Sequence, residues 1–259
     1  MNRALRWREI ERRLDGVRTI LDVGAATGAF SIPLARRGYQ VTHLDLAPAA
    51  LEIARQKAHG LENMRFVEGN AADLAQFPER SFDLVLNMDG AISFCGSSAV
   101  QALQEACRVT GKTLIVTASH RARLAAVLIA ASLEIYGSFT PAAAAMLETG
   151  AWHQEQFPEN PALARGMTQD YMGALQAFTP GEVREILEQC GLHVLRCGGL
   201  GSLASLCGPE TVGRVLQDDS LLRTFLDDCE TFDRELLPCG PGTRQRSGLI
   251  AVAERIQPG

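Results

Sequence analysis

The stretch Ile20-Leu-Asp-Val-Gly24-Ala-Ala-Thr-Gly28-Ala-Phe30 decides the fold. Ile20, Leu21 and Val23 form a short apolar run, broken by Asp22 and ended by Gly24, which predicts a buried strand. Ala25, Ala26, Thr27 and Gly28 then keep the backbone nearly bare, and a helix is expected from Ala29 to Arg37, closed by Gly38. Glycine at both ends of the turn permits positive φ and close approach of a ligand, and the following helix aims its free N–H groups at that ligand. A strand, a small-residue turn and a helix make a nucleotide-type pocket.

Dinucleotide enzymes also place a glycine-rich turn after their first strand, so the glycines do not name the ligand. Asp22 adds a carboxylate two residues before Gly24, which suits a ligand carrying an amino group and repels a pyrophosphate. The spacing is Gly-x-x-x-Gly, short of the dinucleotide fingerprint. Asp22-Val-Gly24-Ala-Ala-Thr-Gly28 resembles the first motif of the class I (Rossmann-like) S-adenosylmethionine-dependent methyltransferases, with Ala26 where many members have a middle glycine. The resemblance implies a doubly wound α/β fold: a mostly parallel seven-stranded sheet with helices on both faces. It also implies S-adenosyl-L-methionine as cofactor and S-adenosyl-L-homocysteine as product. Asp22 with Gly24, Ala25, Ala26 and Gly28 would then hold the methionine end.

Val41-Thr-His-Leu-Asp45 alternates as a second strand, and in a parallel sheet its carboxyl end faces the same crevice as the first. Asp45, followed by Leu46, is placed to accept ribose hydroxyls. Pro48 opens a helix running to about His59, ended by Gly60. Met64 to Glu68 is the third strand. In the resembling family the next loop reads Gly-Asp-Ala and holds adenine; here Asn70 and Ala71 take those places, and the Asn70 side-chain oxygen still accepts an amino hydrogen. Asp73 is read as a helix cap. Ser81 to Asn87 is the fourth strand, similar to the family's Phe-Asp-Leu-Val strand, and brings Asn87 to the sulfur side of the crevice. Asn87 does not begin the Asn-Pro-Pro-Tyr motif of amino-directed nucleic-acid methyltransferases. A helix from Ser98 to Val109, a turn at Gly111-Lys112 and a strand from Thr113 to Ala118 continue the β/α alternation.

The alternation stops after Ser119 and His120. Leu124, Val127, Leu128, Ala131 and Ile135 share a helical face, an alanine-rich stretch follows from Pro141 to Leu147, and then come Trp152, His153, Phe157, Tyr171 and Phe178. Residues 121–178 are read as a helical cap inserted after the fifth strand and forming a substrate chamber. Thr179-Pro-Gly-Glu182 is a capping-box helix start, followed after Gly191 by a strand from Leu192 to Cys197. Gly198, Gly199 and Gly201 read as a flexible connector. One or two helices between Gly208 and Leu237 and a strand from Leu249 to Ala253 complete a core of residues 19–120 and 179–259. Residues 1–18 carry Trp7, Ile10 and Leu14 at helical spacing among solvated arginines, and are expected to lid the pocket.

The chain has 259 residues and a net charge of −5, which argues against nucleic acid as partner. Seven cysteines without a Cys-x-x-Cys pair suggest reduced thiols in a cytoplasmic protein; Cys190, His193 and Cys197 have metal-like spacing, but the latter two fall on a strand, so no metal is expected. The start has too many charges for a signal-peptide apolar region, so none is expected there, and no apolar run approaches the ~20 residues of a membrane span. The expected partner is a small, partly apolar methyl acceptor, bound by a monomer or homodimer. A methyl transfer needs an in-line nucleophile near ~3 Å and little covalent help. For an oxygen nucleophile His120 and His153 are the candidate bases; nitrogen or sulfur needs neither. Two alternatives stand beside this reading: a nicotinamide-dependent oxidoreductase and a non-catalytic scaffold.

Overall fold

The computed structural model describes residues 2–153, 156, 174–233 and 248–256. Phe157, Tyr171 and Leu237, named above, and Cys239, one of the seven cysteines, lie outside them. In chain order the elements are α1 (Asn2–Glu11), β1 (Thr19–Val23), α2 (Ser31–Arg36), β2 (Gln40–Asp45), α3 (Pro48–Lys57), β3 (Met64–Glu68) and β4 (Phe82–Asn87). A 3₁₀ segment (Ala91–Ser98), α4 (Ala99–Val109), β5 (Thr110–Ala118), α5 (Arg121–Tyr136), α6 (Pro141–Glu148), β6 (Ala151–His153) and β7 (Ala174–Gln176) follow. Then come α7 (Pro180–Gln189), β8 (Leu192–Gly199), α8 (Ser202–Val215), α9 (Asp219–Thr231) and β9 (Leu249–Arg255).

Seven strands form one sheet in the order β3-β2-β1-β4-β5-β9-β8. β1 to β5 are parallel, and β9 runs antiparallel to both of its neighbours. Period-two alternation divides the core into two layers. Leu21, Val23, Val85, Leu114 and Val116 pack under α4 and α7, while Ile20, Leu84, Leu86, Ile115 and Val252 pack under α1, α2, α8 and α9. The order reverses between β1 and β4, so the crevice opens at the carboxyl ends of those two strands. Val23 is level with both Leu44 and Asn87 there, and Asn87 with Val116.

Several expected boundaries shift. α2 begins at Ser31 rather than Ala29, because the turn continues through Phe30. The turn expected at Gly111-Lys112 is part of β5: a side chain at Gly111 would meet the carbonyls of Arg80 and Phe82 at 2.8 and 2.9 Å, so the glycine serves close packing of backbones. Gly198 and Gly199 are no connector either. Both pair with β9, and Gly199 is bare because a Cβ there would sit 2.8 Å from Ser202 Oγ. Ser202 opens α8 six residues before the helical stretch expected from Gly208; its amide and that of Gly201 donate to the Asp233 carboxylate at 3.0 and 2.6 Å. Asp73 caps no helix; its Oδ1 accepts from Ala75 within a loop.

The insertion is not purely helical. β6 and β7 form a two-stranded antiparallel sheet beside α5 and α6, and Ala125, Leu128, Met146 and Leu175 make a small core of its own. Its ends are fastened together: the Phe178 amide donates to Ser119 O and the Arg121 amide to Phe178 O, both at 2.9 Å. The Arg121 side chain pairs with Glu182 at 2.5 Å, at the start of α7, where the expected capping box is present. β7 lies against the 3₁₀ segment, close enough that a side chain on Gly96 would meet Ala174 Cβ at 2.7 Å.

The arginines of α1 are paired rather than solvated. Arg8 meets Asp227 at 2.5 Å and Arg12 meets Glu230 at 2.6 Å, because α1 lies on the acidic helix α9. Glu9, buried, accepts from both Arg196 and Arg12.

Candidate functional site

The turn after β1 is held from β2. The amides of Gly24 and Ala25 both donate to Leu44 O, at 2.8 and 3.0 Å, and Gly28 N returns to Ala25 O at 2.9 Å. Gly24 and Gly28 have φ of +68 and +86, as expected for glycines that let a turn double back. Ala26 has φ of +47, an uncommon conformation for a residue with a side chain. Both of its polar groups are fixed: its amide donates to Asp45 Oδ2 at 2.7 Å, and its carbonyl lies 3.1 Å from His43 Nε2. A carbonyl only accepts, so Nε2 carries the proton. Nδ1 then accepts from Ser31 Oγ at 2.8 Å. His43 is fully buried, and that burial depresses its pKa, which keeps this ring neutral.

Ser31, the first residue of α2, closes the circuit by donating its amide to Asp22 Oδ2 at 3.1 Å. Asp22 is 1 % exposed, and its other oxygen, Oδ1, is buried with no partner among the described residues. Burial pushes its pKa up to about 7, opposed by the Ser31 hydrogen bond and reinforced by the nearby carboxylates of Asp89 and Asp45. A buried carboxylate oxygen with no donor is costly in isolation and favours an arriving ammonium. Asn87 repeats the pattern on β4: Oδ1 accepts from Ile92 N at 3.3 Å, and Nδ2 is buried with no partner among the described residues.

The remaining predicted residues are distributed around this edge. Asp45 uses both oxygens on backbone, Oδ2 on Ala26 and Oδ1 on Ala47 N at 2.9 Å, so it shapes the turn as well as facing the crevice. Each oxygen keeps a second lone pair. Leu46 projects into solvent, 66 % exposed, at the end of β2. Asn70 is exposed and folds its Oδ1 back onto Ala72 N at 2.9 Å, while Ala71 packs on the core. His120 is half-buried just after β5 beside Phe178; its Nδ1 has no partner among the described residues, and partial burial, with the charge of Arg123, lowers its pKa. His153 sits apart from it, half-buried on β6 in the insertion, with its amide on Gln156 Oε1.

The sequence reading missed His43, Ser31 and the supports around Asn87. Gly90 N donates to Thr117 Oγ1 at 3.2 Å and Ser119 N to Ser93 Oγ at 2.8 Å, which ties the segment after β4 to the end of β5. Arg6 of α1 pairs with Asp89 in the same segment, and Arg3 donates to Ala29 O at 2.9 Å. Trp7 packs against Phe30 in a tilted pair, ring centroids 5.5 Å apart. The one available sign of His43 was a polar residue at an inward position of a buried strand. Among the described residues no cluster of His, Cys, Asp or Glu could hold a metal ion, and no helix is long and apolar enough to cross a membrane.

The part of the chain that carries this edge resembles known proteins. Residues 20–113 match the family described as "Methyltransferase domain". The chain is 36 % identical over 129 residues to the demethylmenaquinone methyltransferase of Tropheryma whipplei, an alignment covering 46 % of this chain and 51 % of that protein. It is 42 % identical over 85 residues to the ubiquinone biosynthesis O-methyltransferase of Xanthomonas oryzae pv. oryzae, covering 31 % and 34 %. The chain thus spans about half the length of the first relative and about a third of the second. Among solved structures, an S-adenosylmethionine-dependent methyltransferase from Methanosarcina mazei superposes with a TM-score of 0.58 at 17 % identity over 96 % of this chain and 97 % of that one. The magnesium protoporphyrin IX methyltransferase of Synechocystis PCC 6803, crystallised with S-adenosylhomocysteine, superposes with a TM-score of 0.54 at 18 % identity over 98 % and 80 %. At these identities the superpositions speak for the fold.

Proposed function

We propose, from the premise that this chain belongs to the class I Rossmann-like S-adenosylmethionine-dependent methyltransferases, that it methylates an oxygen, nitrogen or sulfur atom of a small, partly apolar acceptor. The observation that carries the reading is the partnerless, buried Asp22 Oδ1 beside the Gly24–Gly28 turn. It suits the amino group of S-adenosylmethionine, and Asn87 Nδ2 supplies a donor on the facing strand. Asp45 is assigned to the ribose, Leu46 to one face of the adenine, and Asn70 with Ala71 to its edge. Because the Asn70 oxygen is already bonded to Ala72 N, its free amide hydrogens and second lone pair are what remain for the ligand.

When bound, the cofactor supplies an activated methyl group on a cationic sulfur. The chain's own work is to orient, to exclude water and, for an oxygen acceptor, to hold a proton. Asp22, Asp45 and Asp89 lie close enough to add to one another and make the edge anionic, which favours a cationic ligand. His120, with an open Nδ1, is the better-supported base; His153 is the alternative from the insertion. The lid role of residues 1–18 is supported by the contacts of Arg3, Arg6 and Trp7 with the turn and with Asp89. The cap role of residues 121–178 is supported by the seat of β7 on the 3₁₀ segment after the crevice.

The relatives named above act on demethylmenaquinone and in ubiquinone biosynthesis, so hydroxylated aromatic and quinol compounds are the first acceptors to screen. Calorimetric titration with S-adenosylmethionine and S-adenosylhomocysteine, on the wild type and on Asp45→Ala, tests the cofactor assignment. Binding by the wild type that collapses in the variant supports it; a wild type that binds neither ligand ends it.

A further inference from the structure

At the amino-terminal end of the parallel strands, opposite the crevice, Cys190 packs against the core layer that holds Cys107, and the two residues share one cation. Cys107 is fully buried in the last turn of α4, and Cys190 is the half-buried cap of α7. One guanidinium holds both backbones: Arg255, at the end of β9, donates Nη2 to Cys107 O at 2.5 Å and Nη1 to Cys190 O at 3.1 Å. Its Nε adds Thr110 O at 3.3 Å. Among the described residues its hydrogen-bond partners are these three carbonyls, and no carboxylate pairs with it. Cys190 opens onto a surface pocket of about 240 Å³ shared with Glu79, Arg80, Gln104, Arg108 and Arg255. Arg108 is engaged by Glu105 at 2.7 Å, and of the lining cations Arg255 is the one that bears on the Cys190 thiol.

The two thiols are inequivalent. Both sit at helix C-termini, where the carbonyl dipoles oppose a thiolate. For Cys190 the hydrogen bond from Cys107, aided by Arg255, outweighs burial and brings the thiol down to about 7. The same contact, with burial, pushes Cys107 up, out of the reactive range. An accessible thiol beside cations, backed by a buried one in contact with it, is the arrangement of an attacking and a resolving cysteine.

We propose that Cys190 and Cys107 form a reversible modification site, in which a hydroperoxide entering the pocket oxidises Cys190 and Cys107 closes a disulfide. The Cys190 thiolate attacks a peroxide oxygen; the O–O bond breaks, the departing hydroxide or alkoxide takes a proton, and Cys190 becomes a sulfenic acid. The Cys107 sulfur then attacks the Cys190 sulfur, the S–O bond breaks, and the oxygen leaves as water with the thiol proton. Two thiols lose two electrons, and the peroxide accepts them. An external dithiol reverses the step by exchange. The bridge would join the C-termini of α4 and α7, which share one layer of the core.

The whole chain, treated with stoichiometric hydrogen peroxide in native buffer, then alkylated and digested, tests the pair. The expected result is a mass loss of about two units, removed by dithiothreitol, and a Cys107–Cys190 cross-linked peptide. Iodoacetamide should modify Cys190 ahead of the half-buried Cys207, with half-maximal rate near pH 7. Cys190→Ser, which removes only the outer thiol, should abolish the bridge. Cys107→Ser should leave a sulfenic acid on Cys190 that dimedone traps. A wild type in which Cys190 reacts no faster than Cys207, or forms sulfinic acid without a bridge, or in which other cysteines pair, overturns the proposal. Should Cys107→Ser fail to fold, the wild-type peptide map and Cys190→Ser decide the matter.

Discussion

Asp45 Oδ2 accepts the amide hydrogen of Ala26 at 2.7 Å. The carboxylate assigned to the ribose therefore also builds the turn that faces it. Asp45→Ala is expected to weaken S-adenosylmethionine binding at least about tenfold and, separately, to cost about 1–3 kcal/mol of stability through two stranded amides. Asp45→Asn should also lose stability, since its amide would face one of the two N–H groups now satisfied. Calorimetry and urea denaturation separate the effects, and an unchanged urea midpoint in Asp45→Ala would remove the structural role.

Ala26 pays for its left-handed backbone. Relief of that conformation by glycine is worth about 1–2 kcal/mol, offset by about 0.5–1 kcal/mol of unfolded-chain entropy. Ala26→Gly is therefore expected to raise Tm by about 1–3 °C. His43→Ala acts in the opposite sense: it leaves the Ala26 carbonyl without its donor and opens space in the core, for a loss of about 2–4 kcal/mol. A Tm unchanged in both variants would show that this turn carries no strain and needs no support.

Asp22 predicts a pH signature. Its folded pKa, about 7, lies above the ordinary carboxylate range, so the stability it contributes is complete below the unfolded value near 4 and is lost as pH rises through about 7. Asp22→Asn should raise Tm at pH 8 relative to wild type and make little difference at pH 4. Ligand binding runs the other way, because an ammonium selects the ionised carboxylate: affinity for S-adenosylmethionine should climb between about pH 6 and 8 in the wild type and stay flat in Asp22→Asn.

Arg6 and Asp89 join α1 to the segment after β4. Asp89 is largely exposed, and such a pair contributes only about 0–1 kcal/mol to the fold. Arg6→Ala should leave Tm within about 2 °C of wild type yet speed cofactor release, measured by stopped-flow, if α1 closes over the pocket. The reversal Arg6→Asp with Asp89→Arg should restore the slow rate. Release that is unaffected in Arg6→Ala removes the lid role.

His120→Ala is expected to lower kcat by about 10²–10⁴ for an oxygen acceptor while leaving cofactor affinity intact. The burial that lowers the His120 pKa keeps the ring neutral at pH 7, as a base requires. A comparable fall in His153→Ala and none in His120→Ala would transfer the role to the insertion.

What the sequence made legible was local. A strand, a bare turn and a helix are written within residues 20–30, and the Thr179–Glu182 capping box within four consecutive residues. Asp22, Asp45 and Asn87 could be placed at one edge because parallel strands deliver their carboxyl ends to the same side. Contacts between distant segments left no such trace. Nothing near Gly111 announces the carbonyls of Arg80 and Phe82, and nothing near Arg255 announces Cys107, 148 positions away. The N-terminal arginines looked solvated because their acidic partners belong to a helix more than two hundred residues later. His43 was hidden for a different reason: its partners are a backbone carbonyl and a serine, neither of which a motif records.

The place of β9 has a consequence for how the chain is made. It lies between β5 and β8 although residues 249–255 follow both in sequence. As the polypeptide leaves the ribosome, β1 to β5 can pair in turn, but β5 must wait with one row of amides and carbonyls bare until the last strand arrives. Such an edge is open to mispairing with other nascent chains. Assembly of this half of the sheet is accordingly a late step, and the waiting edge of β5 is the part of the nascent chain most in need of cover.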